Sequence, residues 1–367
     1  MSDLLANLNP PQLAAVTLAP VHGLILAGAG SGKTRVLTTR IAWLISTQQV
    51  SPHGILAVTF TNKAAKEMMA RLSAMLPVNP RSLWIGTFHG LCNRLLRAHF
   101  REAGLPQLFQ ILDSADQLSA IKRLLKNLNV DDERYPAKEL QHFINGNKEK
   151  GLRPGQADAW DDYTRRRVEL WSEYETQCNR EGVVDFAELM LRTFELLSRH
   201  EPIRTHYQQR FKHILVDEFQ DTNVLQYKWL KLLSDNGKQA RIFAVGDDDQ
   251  SIYRFRGAEV GNMRDFESEF GVDHVIRLEQ NYRSHANILD AANAIICNNR
   301  DRLGKQLWTD AGAGEKIRVY NAPTDLDEAR FIVDEVRELI RDGLDRKQIA
   351  LLYRSNAQSR VLEHQLF

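Results

Sequence analysis

Residues Ala27-Gly28-Ala29-Gly30-Ser31-Gly32-Lys33-Thr34 form a run of small residues ending on a cation and a hydroxyl. Glycines at alternate positions let the backbone turn tightly, so several N–H groups can converge on phosphate oxygens. Lys33 is then placed to reach the outer phosphates of a nucleoside triphosphate, and the Thr34 hydroxyl to ligate Mg²⁺. The usual form of such a P-loop opens on Gly, where this chain has Ala27; the remaining positions fit.

Other stretches carry complementary chemistry. Ile-Leu-Val-Asp-Glu-Phe-Gln-Asp at 214–221 delivers two adjacent carboxylates to the end of an apolar run. Neighbouring side chains diverge there, so Asp217 can hold Mg²⁺ through water while Glu218 activates an attacking water. Gln250, a donor and acceptor in one group, suits sensing of a γ-phosphate. The preceding acids Asp247–Asp249 read as a solvated loop without a catalytic role. Tyr253 and Phe255 interleave with Arg254 and Arg256, a pattern that suits base stacking on a single strand or packing in a core. Phe60, Thr61 and Asn62 combine an aromatic with a hydroxyl and an amide at a helix start, and Thr87 with His89 repeats the device. Arg283 follows another apolar run and suits either a cross-cleft phosphate contact or a surface salt bridge. None of the 11 histidines forms a ligand-spaced pair.

These residues need scaffolding. Short apolar runs at Val21–Leu26, Ile55–Phe60 and Leu83–Thr87 alternate with helical patterns at Lys33–Ile45 and Lys63–Leu76, the rhythm of a parallel α/β sheet. From Phe88 to about Arg210 the strand signal gives way to helices, and strands return at His213–Val216, Arg241–Val245 and His274–Leu278. The expected fold is therefore α/β: a P-loop parallel-sheet domain (1–87 and 211–279) interrupted by an all-helical insertion (88–210). A second alternation over 280–367 predicts strands at Ile317–Asn321 and Ile349–Tyr353. It ends within a helical pattern, which reads as a cut through a domain.

Composition adds bounds. Charged residues make up 26% and apolar residues 43% of 367, as in ordinary globular proteins. A formal net charge of +1 conceals a basic first section, 7 Lys and Arg against 2 Asp and Glu in residues 1–86, and a section at 211–283 with net −3. No strongly basic groove is announced. No apolar run suggests a membrane span, and Met1–Pro10 lacks an export-signal pattern. With three widely spaced cysteines, these features point to the cytoplasm.

In order, the P-loop, Thr-Phe-Thr-Asn-Lys-Ala-Ala, Gly-Thr-Phe-His-Gly, Val-Asp-Glu-Phe-Gln-Asp, Val-Gly-Asp-Asp-Asp-Gln-Ser-Ile-Tyr and Gln-Asn-Tyr-Arg-Ser resemble motifs I, Ia, Ib, II, III and IV of the superfamily 1A DNA helicases. This is the UvrD/PcrA/Rep group. The likeness covers the whole chain, and Gly-Leu-Arg-Pro (151–154), Leu-Trp-Thr-Asp (307–310) and 354–360 lean toward its UvrD branch. The resemblance implies two RecA-like domains, 1A (1–87 and 211–279) and the first part of 2A (280–367), with 1B at 88–210. It implies ATP as fuel, read by Gln12, with further nucleotide contacts from Arg35, Arg71 and Tyr282 and a finger role for Arg283. It also implies single-stranded and 3′-tailed duplex DNA as partners, together with repair-pathway proteins. Phe255 stands where the family's stacking aromatic is commonly Trp. The implied activity is ATP-driven 3′→5′ translocation and unwinding in DNA repair. Motifs V and VI of the family have no counterpart in these 367 residues. The competing expectation is therefore a fragment that binds ATP and DNA with little turnover.

Overall fold

The computed structural model describes residues 2–77, 82–253, 257–259, 261–300 and 302–367. Its centre is a six-stranded sheet built from β1 (Gly23–Ala27), β2 (Ile55–Thr59), β3 (Trp84–Thr87), β6 (His213–Val216), β7 (Arg241–Gly246) and β8 (Val275–Leu278). The two intervening strands, β4 (Gln110–Leu112) and β5 (Val183–Asp185), form a separate pair. The large sheet runs β3-β2-β6-β7-β1-β8, and every pairing is parallel.

Helices cover both faces, which is why β1 and β2 are buried along their whole length and read as unbroken apolar runs. The two-residue side-chain period sorts those runs into two cores. Leu24, Leu26, Leu56, Val58, Ile214 and Val216 face one way, and Ile25, Ala27, Ile55, Ala57, Leu215 and Phe243 face the other. Because all six strands are parallel, their C-terminal ends share one edge, where the sequence places its chemistry-bearing loops.

The stretch expected to be free of strands holds β4 and β5, paired in parallel from Gln110–Val183 to Leu112–Asp185. Three residues are too few to leave a readable alternation, so pattern alone misses them. Around this pair, the helices Ser114–Asn127, Ala137–Glu149 and Asp162–Glu181 close over a core containing Ile144, Trp171 and Tyr174.

Met1–Gly312 forms one compact unit and Ala313–Phe367 another. The second contains the helices Asp325–Arg341 and Asn356–Leu366, with Tyr320 stacked on Phe331. The strands expected at Ile317–Asn321 and Ile349–Tyr353 do not form there; Val319 and Leu352 are 93% and 96% exposed. Apolar alternation supplies a face but no ladder neighbour, and a strand needs both.

Candidate functional site

The loop leaving β1 turns through Gly30 (φ +69°) and Gly32 (φ +88°), left-handed positions that favour glycine. Gly32 is the N-cap of the helix Lys33–Ser46 and offers no side-chain cap, so the first amides of that helix remain available to an anion. The Ser31 hydroxyl donates to the Gly28 carbonyl at 2.7 Å and braces the turn. Lys33 extends to Glu218, with Nζ 2.8 Å from Oε2. Two residues 185 positions apart in sequence thus meet at this edge of the sheet.

Glu218 follows β6 in a left-handed conformation (φ 49°, ψ 48°), a strained one for a residue with a side chain. The turn separates its carboxylate from that of Asp217, which accepts the Glu218 N–H at 3.1 Å and is buried. Burial pushes the Asp217 carboxyl up to about 7; Glu218 adds to the rise and Lys33 opposes it. Asp221 is raised to about 6 by burial and Glu218, and its Oδ1 is buried without a hydrogen-bond partner. Buried oxygens short of positive charge are the donor chemistry of a hard divalent cation, and Asp217 and Asp221 offer such oxygens.

Sequence reasoning passed over Gln220 and Asp221. Gln220 Nε2 donates to Glu218 Oε2 at 2.9 Å, while its Oε1 accepts the Asp247 N–H at 2.9 Å. The signal was present in the same motif, Val-Asp-Glu-Phe-Gln-Asp, beyond the two carboxylates that drew attention. The expectation of a solvated acidic loop at Asp247–Asp249 is also corrected. Asp247 is 2% exposed, its Oδ2 accepts the Gln250 side-chain amide, and all three acids pair with Lys305. Lys305 lies more than fifty residues away, and no local pattern announces that pairing.

On the other side of the P-loop, Gln12 is 1% exposed and donates to the Ser31 carbonyl at 2.9 Å. It also closes a capping box with Asn9 at the start of the helix Pro10–Thr17. Asn9 Nδ2 donates to the Tyr282 hydroxyl at 2.9 Å and to Gln280 Oε1 at 3.1 Å. Arg35 donates to the Ala6 carbonyl at 3.3 Å beside a cleft of about 510 Å³ lined by Leu4, Asn7, Arg35 and Met75. Arg71 pairs with Glu67, one turn earlier on its own helix, at an exposed position.

The 280–284 loop packs directly on the P-loop. Asn281, also passed over, donates to the Ala29 carbonyl at 2.6 Å, and the Tyr282 N–H donates to the Gly30 carbonyl at 2.9 Å. Asn281 Oδ1 accepts the N–H groups of Arg283 and Ser284 at 2.8 and 2.7 Å, so a single amide side chain joins the Arg283 backbone to the P-loop. A Cβ on Gly30 would come within 2.7 Å of Arg283 Cβ.

Among the residues expected to meet nucleic acid, Phe60 and Tyr253 come together with ring centroids 5.0 Å apart. Thr61 caps the helix Asn62–Met75, and Thr87 caps the helix Phe88–Ala98. His89 meets the edge of Phe186 at 5.8 Å, and burial holds its imidazole below the ordinary value. Phe255, with Arg254 and Arg256, lies outside the described residues. Among the described residues no helix is long and apolar enough to cross a membrane.

Comparison with known proteins gives two family matches along the chain. Residues 8–271 match the profile described as UvrD/REP helicase N-terminal domain, and residues 276–367 match the UvrD-like helicase C-terminal domain. DNA helicase II of Haemophilus influenzae is 50% identical over 371 aligned positions, which cover 100% of this chain and 51% of that protein. DNA helicase II of Escherichia coli is 51% identical over 367, with the same coverage. ATP-dependent DNA helicase PcrA of Staphylococcus epidermidis is 43% identical over 365, covering 99% of this chain and 50% of that protein. The chain thus spans about half the length of the curated relatives it matches.

Proposed function

The chain belongs to the UvrD/REP helicase family, and from that premise we propose that it hydrolyses ATP to move 3′→5′ along single-stranded DNA. In this reading the work serves unwinding of 3′-tailed duplexes in DNA repair, in the cytoplasm. The observation that carries the reading is the 2.8 Å pair between Lys33 and Glu218, with Asp217 and Gln220 around it and Gln12 and Asn281 bracing the loop.

The P-loop amides and the N-terminus of the Lys33–Ser46 helix take the phosphates. Lys33 exchanges Glu218 for the β- and γ-phosphate oxygens, and the released Glu218 carboxylate accepts a proton from the attacking water. Gln220 and Gln250 hold the polar groups around that water, and Arg283 meets the charge developing on the γ-phosphoryl group. Mg²⁺, held by Thr34 and Asp217, supplies neutralisation of phosphate charge when bound. Gln12 selects adenine, and Arg35, Arg71 and Tyr282 complete the base and ribose contacts. Phe60 and Tyr253, with Phe255, stack on bases, while Thr61, Asn62, Thr87 and His89 line the strand's path.

The test is ATP hydrolysis by the full-length gene product with and without oligonucleotide, alongside unwinding of 3′- and 5′-tailed duplexes. Strong stimulation by single strands and unwinding confined to the 3′ tail are expected. Hydrolysis indifferent to DNA, or a preference for the 5′ tail, defeats the motor reading. The same hydrolysis assay on residues 1–367 decides whether they turn over ATP alone or only bind it.

A further inference from the structure

The loop after β7 carries four consecutive polar residues, Asp247 to Gln250, and its support comes from a distant part of the chain. Lys305 is 8% exposed, and its ammonium lies 2.6 Å from Asp247 Oδ1, 2.8 Å from Asp248 Oδ1 and 2.6 Å from Asp249 Oδ2. Arg302 closes the outer side, donating to the two oxygens of Asp249 at 2.6 and 2.7 Å and to the Lys305 carbonyl at 2.9 Å. The Leu303 N–H donates to Asp248 Oδ2 at 2.7 Å.

Three neighbouring carboxylates left to themselves repel and turn outward to water. Here one ammonium draws them inward, and two outcomes follow. The three acids have the spacing of a divalent-cation cluster, but Lys305 already supplies their positive charge. Asp247 is also held as a fixed hub. Its side chain accepts the Gln250 amide, and its N–H donates at 2.9 Å to Gln220 Oε1, whose amide reaches Glu218 at 2.9 Å. The same distant stretch touches the P-loop side of the site. A Cβ on Gly28 would overlap the Leu307 side chain, and the Trp308 carbonyl accepts the Asn281 N–H at 2.7 Å.

We infer that Lys305, backed by Arg302, is a positioning residue for nucleotide hydrolysis: it fixes Asp247 so that Gln250 and Gln220 keep their places beside Glu218. The inference rests on the proposed hydrolytic role of the site. Lys305 itself touches no reacting atom in this scheme and acts through Asp247.

The experiment measures kcat and KM for ATP at saturating single-stranded DNA in the full-length gene product, for wild type, Lys305→Ala, Gln250→Ala and the double variant. Lys305→Ala is expected to lower kcat by about 10- to 100-fold while KM stays within about threefold. Because both residues act through one loop, the double variant should be no slower than the slower single by more than about threefold. Independent, multiplying losses in the double variant overturn the inference, as does a Lys305→Ala kcat within about twofold of wild type. If Lys305→Ala shows no cooperative melting, Arg302→Ala, on the rim of the cluster, enters the same cycle and the same outcomes decide. A wild type that does not hydrolyse ATP defeats the underlying reading instead, whereas an active wild type with a multiplying cycle defeats only the role of Lys305.

Discussion

Lys33 Nζ and Glu218 Oε2 stand 2.8 Å apart, so the P-loop cation is paired with the carboxylate proposed to activate water. Phosphate and Glu218 therefore compete for Lys33. Lys33→Ala should weaken ATP binding at least about tenfold, since it removes a charge-assisted phosphate contact. Glu218→Gln should lower kcat by about 10²–10⁴ yet leave ATP binding unchanged or tighter, because the competing negative charge is gone. A fluorescent ATP analogue and steady-state hydrolysis separate the two. Loss of binding in Glu218→Gln contradicts the assigned roles.

Gln12 serves two partners at once, the Ser31 carbonyl and the cap of its own helix. Gln12→Ala should cost about 1–2 kcal/mol of stability, one buried hydrogen bond and one cap contact. It should also narrow the preference for ATP over GTP. Denaturant unfolding and competition with the two nucleotides report on each. An unchanged nucleotide preference removes Gln12 from base reading while leaving its cap role standing.

Lys148 is 2% exposed and sits 2.9 Å from both Asp185 and Glu188, inside the helical insertion. Burial alone would lower its pKa, but the carboxylates of Asp185, Glu188 and Glu175 hold it well above the ordinary value. Lys148→Met leaves buried Asp185 without a cation, while Glu175 and Glu188 keep Arg153, and should destabilise the protein by about 3–5 kcal/mol. Urea unfolding measures it. A loss below about 1 kcal/mol means that Asp185 finds another partner or takes up a proton.

His213, the first residue of β6, is pushed down to about 4 by burial, with the charges of Arg40 and Arg241 acting in the same direction. Its unfolded value is near 6.5, so between these values the unfolded chain binds the extra proton. The His213 contribution is therefore intact above about pH 6.5 and lost as pH falls toward 4, amounting to about 3 kcal/mol across that window. Stability measured from pH 7 to 4 should fall less steeply in His213→Gln than in wild type. Parallel pH profiles for the two proteins would remove His213 as the cause.

Much of the site could be read before the structure because its strongest elements are local. A glycine-rich turn before a helix and two carboxylates after an apolar run are short patterns with a mechanical meaning. The contacts that hold them in place are not local. Asn281 reaches Ala29 across 252 positions, and Lys305 reaches Asp247–Asp249 across more than fifty. A cation or amide in a loop has no periodicity, so its partner is known only once the sheet has brought the loops to one edge. The reverse failure occurs at Ile349–Tyr353, where a strand-like pattern exists without a ladder neighbour.

The strand order has a consequence for synthesis. β1, which leads into the P-loop, has only β7 and β8 as sheet neighbours. As a nascent chain leaves the ribosome, β1 emerges early and must wait through the entire insertion before either neighbour exists. A polypeptide ending between Thr34 and Arg241 contains the whole P-loop sequence but neither strand that pairs with β1. The proposed capture of nucleotide is thus scheduled late in translation, although the P-loop residues assigned to it are among the first made.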